Sequence, residues 1–217
     1  ASLDAQERTT TSTINCPGSF SYGNRSFEDH GAYGNINVTR SLEVSANVFY
    51  YKLGLQLGIN NYHKYGKMFG FGNKTGIDIP NETNGLLPSK EYFDKRYGAN
   101  KWPQGFLVSL GIGQGELGVS PVQMVAYTSA IAMDGLYWQP HFVQKIINTN
   151  TSQEEIPQFQ SRQIDLPKKY FDAIKQGMYL VVNGSGTATN IKNEDFTLCL
   201  LYTSDAADDL LCVNLGA

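Results

Sequence analysis

The sequence lacks any apolar run that approaches membrane-spanning length, and its start does not read as a signal peptide. It has no basic run and no aromatic–basic stripe, and its formal net charge is −3, so nucleic acid is excluded as an expected partner. Cysteine is scarce. Cys16, Cys199 and Cys212 are the whole complement, and the last two lie in a tail unlike the rest of the chain. A single remaining thiol implies no disulfide framework and says nothing of redox compartment. Histidine is as sparse, with His30, His63 and His141 only. His141 follows Pro140 without an Asp or Ser motif to set it up as a base, and reads as a structural or surface residue. What remains is ordinary for a globular protein: 217 residues, 41% hydrophobic and 12% aromatic, enough for one large domain or two small ones.

The most informative stretch is 37–58, NVTRSLEVSANVFYYKLGLQLG. It reads as two helices broken at Ser45-Ala46-Asn47. Val38 and Leu42 share a face before the break; Val48, Tyr51 and Leu55 recur at helical spacing after it. A hydroxyl and a carboxamide thus sit two residues apart between apolar helices. On one continuous helix they would diverge, whereas in a tight turn they can converge on one cleft. Ser and Asn are also ordinary helix-starting residues, so the pattern alone is mostly a cap.

Elsewhere, 1–6 reads as a helix end, and 8–13 as a polar link into the Cys16-Pro17-Gly18 turn. Residues 19–33, rich in Gly, aromatic and charged side chains and including Asp29 and His30, read as an ordered, solvated loop. A helix over 59–69 is ended by Gly70 and Gly72. A short one follows at 88–97, with Ser89 as cap and Lys90, Glu91, Asp94, Lys95 and Arg96 as its wet face. The run Gly111-Ile112-Gly113-Gln114-Gly115 is similar to a phosphate-cradling loop, but no Lys-Ser/Thr follows it. Ser120 caps and Pro121 opens a helix whose Val122, Val125, Ser129 and Ala132 are expected inside, with Gly135 at its end. Residues 141–147 suggest a strand and 148–155 a polar hairpin link; 167–182 is an amphipathic helix with Tyr170, Ile174, Met178 and Val181 on one side.

Six pieces, in order, resemble the transpeptidase domain of class B penicillin-binding proteins of the elongation type. They are TINCPGSFSYGN (13–24), GNINVTRSLEVSANVFYYKLG (34–54), KMFGFGNKTGIDIPNETNGLLPS (67–89), SLGIGQGELGVSPVQM (109–124), GLYWQPHFV (135–143) and GMYLVVNGSGTA (177–188). The resemblance implies a partial α/β (α+β) serine penicillin-recognising fold, β-lactamase-like, held here mostly as its helical half with the central sheet incomplete. It implies that Ser45 and Asn47 are catalytic: Ser45 as a proton relay between a lysine and the leaving nitrogen, Asn47 as a carboxamide that holds a substrate carbonyl and steadies that lysine. The family's nucleophile, on a Ser-x-x-Lys motif, is expected upstream of Ala1. In relatives the turn at 184–188 leads into a Lys-Thr/Ser-Gly strand, but no Lys-Ser/Thr-Gly follows it in this sequence. Lys74-Thr75-Gly76 matches that third motif in letters, but it follows a helix-ending FGFG and precedes Pro80, which cannot donate to a central ladder. It is expected to be structural.

Some relatives bind zinc beside the active site, through the loop after Cys16 and a cysteine in the middle of S-x-N. Ala46 offers no ligand atom there, so no metal and no cofactor is expected. The implied activity is peptidoglycan D,D-transpeptidation through a serine acyl-enzyme, with D-Ala-D-Ala stem peptides as substrate, β-lactams as ligands and cell-wall elongation proteins as partners. The implied location is the bacterial cytoplasmic membrane, with the domain on the periplasmic side. A non-catalytic β-lactam sensor or a serine β-lactamase on the same fold are the alternatives. From Cys199 the sequence departs from the family, and 199–209 is similar to a translated transposase sequencing adapter. The expected organisation is therefore a partial domain over 1–197 and a non-native tail over 198–217, in a chain that is inactive by itself and marginally stable.

Overall fold

The computed structural model of the chain describes residues 1–5, 8–195 and 197–200. The expected foreign tail falls mostly on 201–217, outside the described residues. In chain order the elements are α1 (Ser2–Ala5), β1 (Ile14–Cys16), β2 (Ser19–Tyr22), β3 (Arg25–Glu28), β4 (Gly34–Ile36), α2 (Val38–Glu43), α3 (Asn47–Met68) and α4 (Lys90–Tyr97). They continue with α5 (Phe106–Gly111), α6 (Pro121–Ala132), β5 (Leu136–Trp138), β6 (Ile146–Ile147), β7 (Glu154–Glu155), β8 (Ser161–Gln163) and α7 (Lys168–Asn183). The strands pair antiparallel as β1–β4, β2–β3, β5–β8 and β6–β7, so the described residues hold four two-stranded sheets and no central one.

The long helix α3 is the spine. It bends at Gly58, whose φ of 70° and ψ of 163° leave the helical region, at the boundary between the helix expected to end near 58 and the one expected over 59–69. One turn earlier, Gly54 meets α5. A Cβ on Gly54 would lie 2.3 Å from the Leu107 carbonyl oxygen, and one on Gly111 would lie 2.3 Å from the Tyr50 carbonyl oxygen. The two backbones are in contact because neither position carries a side chain. The Gly-rich run at 111–115 therefore starts as a helix end packed on α3, and not as a ligand loop.

Three clusters form most of the core. The first joins Ile14, Cys16, Ile36, Val44, Ala46, Val48, Phe49, Tyr51 and Val108, so β1, β4 and α5 pack around the α2–α3 corner. The second packs Ala126, Ala130, Tyr137, Ile164 and Phe171 between α6 and α7. The third centres on Phe93, fully buried and stacked on Trp102 and Phe106 at centroid distances of 5.0 and 5.2 Å.

Three expectations need correction. Residues 19–33 are not simply a loop: β2 and β3 form a hairpin with Tyr22 opposite Arg25 across a two-residue Gly23-Asn24 turn. The inward Phe20 and Phe27 pack their rings on Tyr51, at centroid distances of 6.3 and 5.4 Å. The buried face of α6 is Gln123, Ala126, Ala130 and Ile131, whereas Val125 is 61% exposed and Ser129 and Ala132 are exposed. The Ser120–Gln123 capping box turns Gln123 inward, where its Nε2 donates to the carbonyls of Asn73 (2.7 Å) and Asn84 (2.9 Å). A buried amide with two loop carbonyls as partners displaces the apolar residues that hydrophobicity alone places inside. The strand expected over 141–147 shrinks to Ile146–Ile147. The N–H groups of Phe142 and Val143 donate instead to the Asp78 carboxylate, at 2.8 and 2.7 Å, and are lost to a ladder.

Two outcomes follow. Gly54→Ala drives a methyl into the Leu107 carbonyl and is expected to lower unfolding free energy by about 1–3 kcal/mol in urea melts; an unchanged midpoint would refute the α3–α5 contact. Cys16 is fully buried, and burial pushes its thiol pKa up to about 11. The thiolate is the reactive form, so iodoacetamide at about pH 8 is expected to spare Cys16 and modify the exposed Cys199, with Cys16 reacting only after denaturation, as read by peptide mass mapping.

Candidate active-site corner between the second and third helices

Helix α2 ends at Glu43 and α3 starts at Asn47. Through the corner, Val44 (5% exposed), Ala46 (0%) and Val48 (0%) enter the core while Ser45 and Asn47 stay half-exposed. Ser45 holds a φ of 53°, left-handed backbone that is uncommon for a residue with a side chain. Such an outlier persists only where its surroundings fix it.

Part of what fixes it comes from a hairpin 18 residues away. The N-cap position of α3 is Ala46, extended at φ −69° and ψ 100°, with no side-chain oxygen to satisfy the first free N–H groups. Asp29, just after β3, supplies both acceptors: Oδ1 takes the N–H of Asn47 at 3.0 Å and Oδ2 that of Val48 at 2.8 Å. Its charge also complements the positive end of the helix dipole. By sequence alone Asp29 belongs to a solvated loop. The available signal was indirect: a helix opened by Ala-Asn-Val has no side-chain cap of its own at that position.

The other wall comes from α7 and the turn after it. α7 packs on α2 where Gly177 meets Leu42, and Thr39 Oγ1 donates to the Ala173 carbonyl at 3.1 Å. The buried Glu43 pairs with Arg40 at 2.8 Å and accepts the Ser185 N–H at 3.0 Å. Ala188 is tied back by its N–H to the Val181 carbonyl at 3.1 Å. This holds the turn so that Thr187 Oγ1 lies 3.2 Å from Ser45 Oγ, two hydroxyls 142 residues apart. The Asn47 carboxamide makes no hydrogen bond to other described residues. Glu43 and Thr187 are further residues of this corner that the sequence reading did not single out.

Lys74-Thr75-Gly76 is irregular in structure and is not part of this corner. Thr75 donates its N–H and its hydroxyl to Glu82 Oε1, both at 2.7 Å, and Gly76 N–H reaches Oε2 at 3.0 Å. Burial pushes the Glu82 carboxyl up, but these bonds and Lys74 outweigh it and hold the pKa below its usual value. His141 is exposed, with its ring stacked on Phe159 at 3.7 Å. Cavities of about 200 and 840 Å³ open beside Lys74 and between the β2–β3 hairpin and α5; neither is lined by Ser45 or Asn47. Among the described residues no group of three or more His, Cys, Asp or Glu side chains is placed to hold a metal ion, and no helix is long and apolar enough to cross a membrane.

The chain is 35% identical over 160 residues to the peptidoglycan D,D-transpeptidase MrdA of Escherichia coli K12, covering 72% of this chain and 25% of that protein. It therefore spans about a quarter of the length of the curated relatives it matches. Among solved structures, the penicillin-binding protein PBP2 of Helicobacter pylori in complex with MreC superposes with a TM-score of 0.74 at 32% identity, over 87% of this chain and 34% of that one. PBP2 of Pseudomonas aeruginosa in complex with WCK 5153 gives 0.74 at 30% identity, over 87% and 43%. The penicillin binding protein transpeptidase domain matches residues 1–198, and the chain belongs to that family.

Proposed function

We propose that the chain is the S-x-N part of a peptidoglycan D,D-transpeptidase that joins stem peptides through a serine acyl-enzyme, with the nucleophile supplied by sequence not contained in these residues. The observation that carries this reading is the α2–α3 corner. A left-handed Ser45 is held beside the turn at 184–188, and Asn47 opens the next helix with an uncommitted carboxamide. In this reading the Ser45 hydroxyl passes a proton between the catalytic lysine and the departing D-Ala nitrogen, since a hydroxyl donates and accepts at once. Asn47 binds a backbone carbonyl of the stem peptide and orients the lysine. Asp29 acts through these two, as a positioning residue that clamps the first turn of α3.

The full-length protein sits in the cytoplasmic membrane with this domain on the outer side, takes D-Ala-D-Ala-ended stems and β-lactams, and works with elongation proteins of the kind represented by MreC. The S-x-N pair by itself has no nucleophile, general base or oxyanion donors. The 217-residue chain alone is therefore inactive.

Two measurements test this. A fluorescent penicillin is expected to leave the 217-residue chain unlabelled after denaturing electrophoresis, and a covalent band would overturn the assignment of the nucleophile. In the intact protein recovered from the source genome, Asn47→Ala is expected to slow acylation by about a hundredfold, as for other positioned donors. Asp29→Ala is expected to cost about 0.5–2 kcal/mol of stability and to slow acylation, with Asp29→Glu restoring part of the rate. Full activity in Asn47→Ala would end the proposed role.

A further inference from the structure

Lys74 and Thr75, of the triplet that the corner does not use, line a cavity of about 200 Å³ together with residues of the β5–β8 ribbon. Its two walls are tied to each other. Gln139 Nε2 donates to the Gly76 carbonyl at 2.6 Å, and Gln139 Oε1 accepts the Gln160 N–H at 3.1 Å. Glu82 holds the Lys74 loop from behind, and Gln123 holds the carbonyls of Asn73 and Asn84. The cavity is therefore built by cross-links between segments and does not depend on one mobile loop.

Its lining carries cations and no carboxylate. Tyr137 and Arg162 are directly paired across the ribbon, with the guanidinium 4.4 Å from the Tyr137 ring centroid. That stacking leaves the guanidinium N–H groups available. The Lys74 ammonium, the Ser161 hydroxyl and the Tyr137 phenol make no hydrogen bond among the described residues. No Asp or Glu lines the cavity, and both oxygens of the nearby Glu82 are occupied by Thr75 and Gly76. Two cations and two hydroxyls line this space, while the Glu82 carboxylate acts on Lys74 and Tyr137 from outside the lining and offsets part of the positive charge. The volume suits a charged head group with a few attached atoms better than a drug-sized ligand.

We propose that this cavity is a binding site for a small oxyanion, a carboxylate or phosphate group on a small molecule, held by Lys74 and Arg162. The two sources share the same recognition: a planar fork and a point charge on oxygen lone pairs. This inference does not rest on the transpeptidase reading of the corner.

The test is an amide-resolved NMR titration of the 217-residue chain with sodium phosphate and, separately, sodium acetate, at ionic strength held constant with sodium chloride. A saturable response at Gly76, Gln139 and Ser161 is expected for at least one anion, and the anion that saturates identifies the source. Lys74→Ala and Arg162→Ala each weaken it at least about tenfold, the loss of one charge-assisted hydrogen bond. Both side chains are exposed, so the variants are expected to keep the far-UV spectrum of the parent, and Lys74→Arg keeps binding. No saturable response to either anion overturns the proposal, as does a response that Lys74→Ala and Arg162→Ala both retain.

Discussion

The structure around the S-x-N corner depends on one carboxylate. The first N–H groups of α3 have no partner in their own helix, and Ala46 cannot supply one. Asp29 accepts from two of them, and this fastens the β2–β3 hairpin to the start of the spine. The hairpin brings Phe20 and Phe27 onto Tyr51, so the polar clamp and the apolar contact act at the same place. With the helix start fixed from one side, the left-handed Ser45 and the extended Ala46 turn the chain between α2 and α3. The buried Val44, Ala46 and Val48 hold that conformation from the core side.

The same device recurs across the molecule. Asp78 takes two N–H groups from the segment before β6, Glu82 takes donors from the Lys74 loop, and Glu43 takes one from the turn after α7. Asp94 accepts from Lys90, Asn100 and the Trp102 indole, and so is more than the wet face of α4. In each case a carboxylate serves main-chain donors that no ladder or helix reaches. A fold whose described strands are all two-stranded ribbons leaves many such donors, and charged acceptors make the strongest bonds to them. This explains how long irregular segments between helices stay ordered enough to form walls.

Much of the local structure was legible in sequence because it is set by nearest neighbours. The break at Ser45-Ala46-Asn47 and the amphipathic α7 follow from apolar period, and the Ser89 and Ser120 caps and Pro121 at the first turn of α6 follow from capping chemistry. The sequence reading failed where a partner far along the chain decides. Val125 is as apolar as any core residue, yet Gln123 faces inward because two carbonyls from another loop wait for it. The hairpin at 19–28 was hidden by its short, mixed-polarity strands, which need Tyr51 on the other side before their alternation means anything. Helix α5 was hidden because six residues carry too little period to be seen.

The family resemblance was carried by motif order along the chain, and the family match over 1–198 rests on that same one-dimensional information. Sequence by itself determined where α4, α6 and α7 lie, that Ser45 and Asn47 flank a break, and that the Lys74 triplet precedes a proline and is ill-suited to a central strand. Only the tertiary structure decided that Asp29 caps α3, that Thr187 meets Ser45, and that Lys74 shares a cavity with Arg162. The reason is physical: caps and periods are written in residues three or four apart, whereas these contacts join segments 18 to 142 residues apart and exist only once the helices have packed.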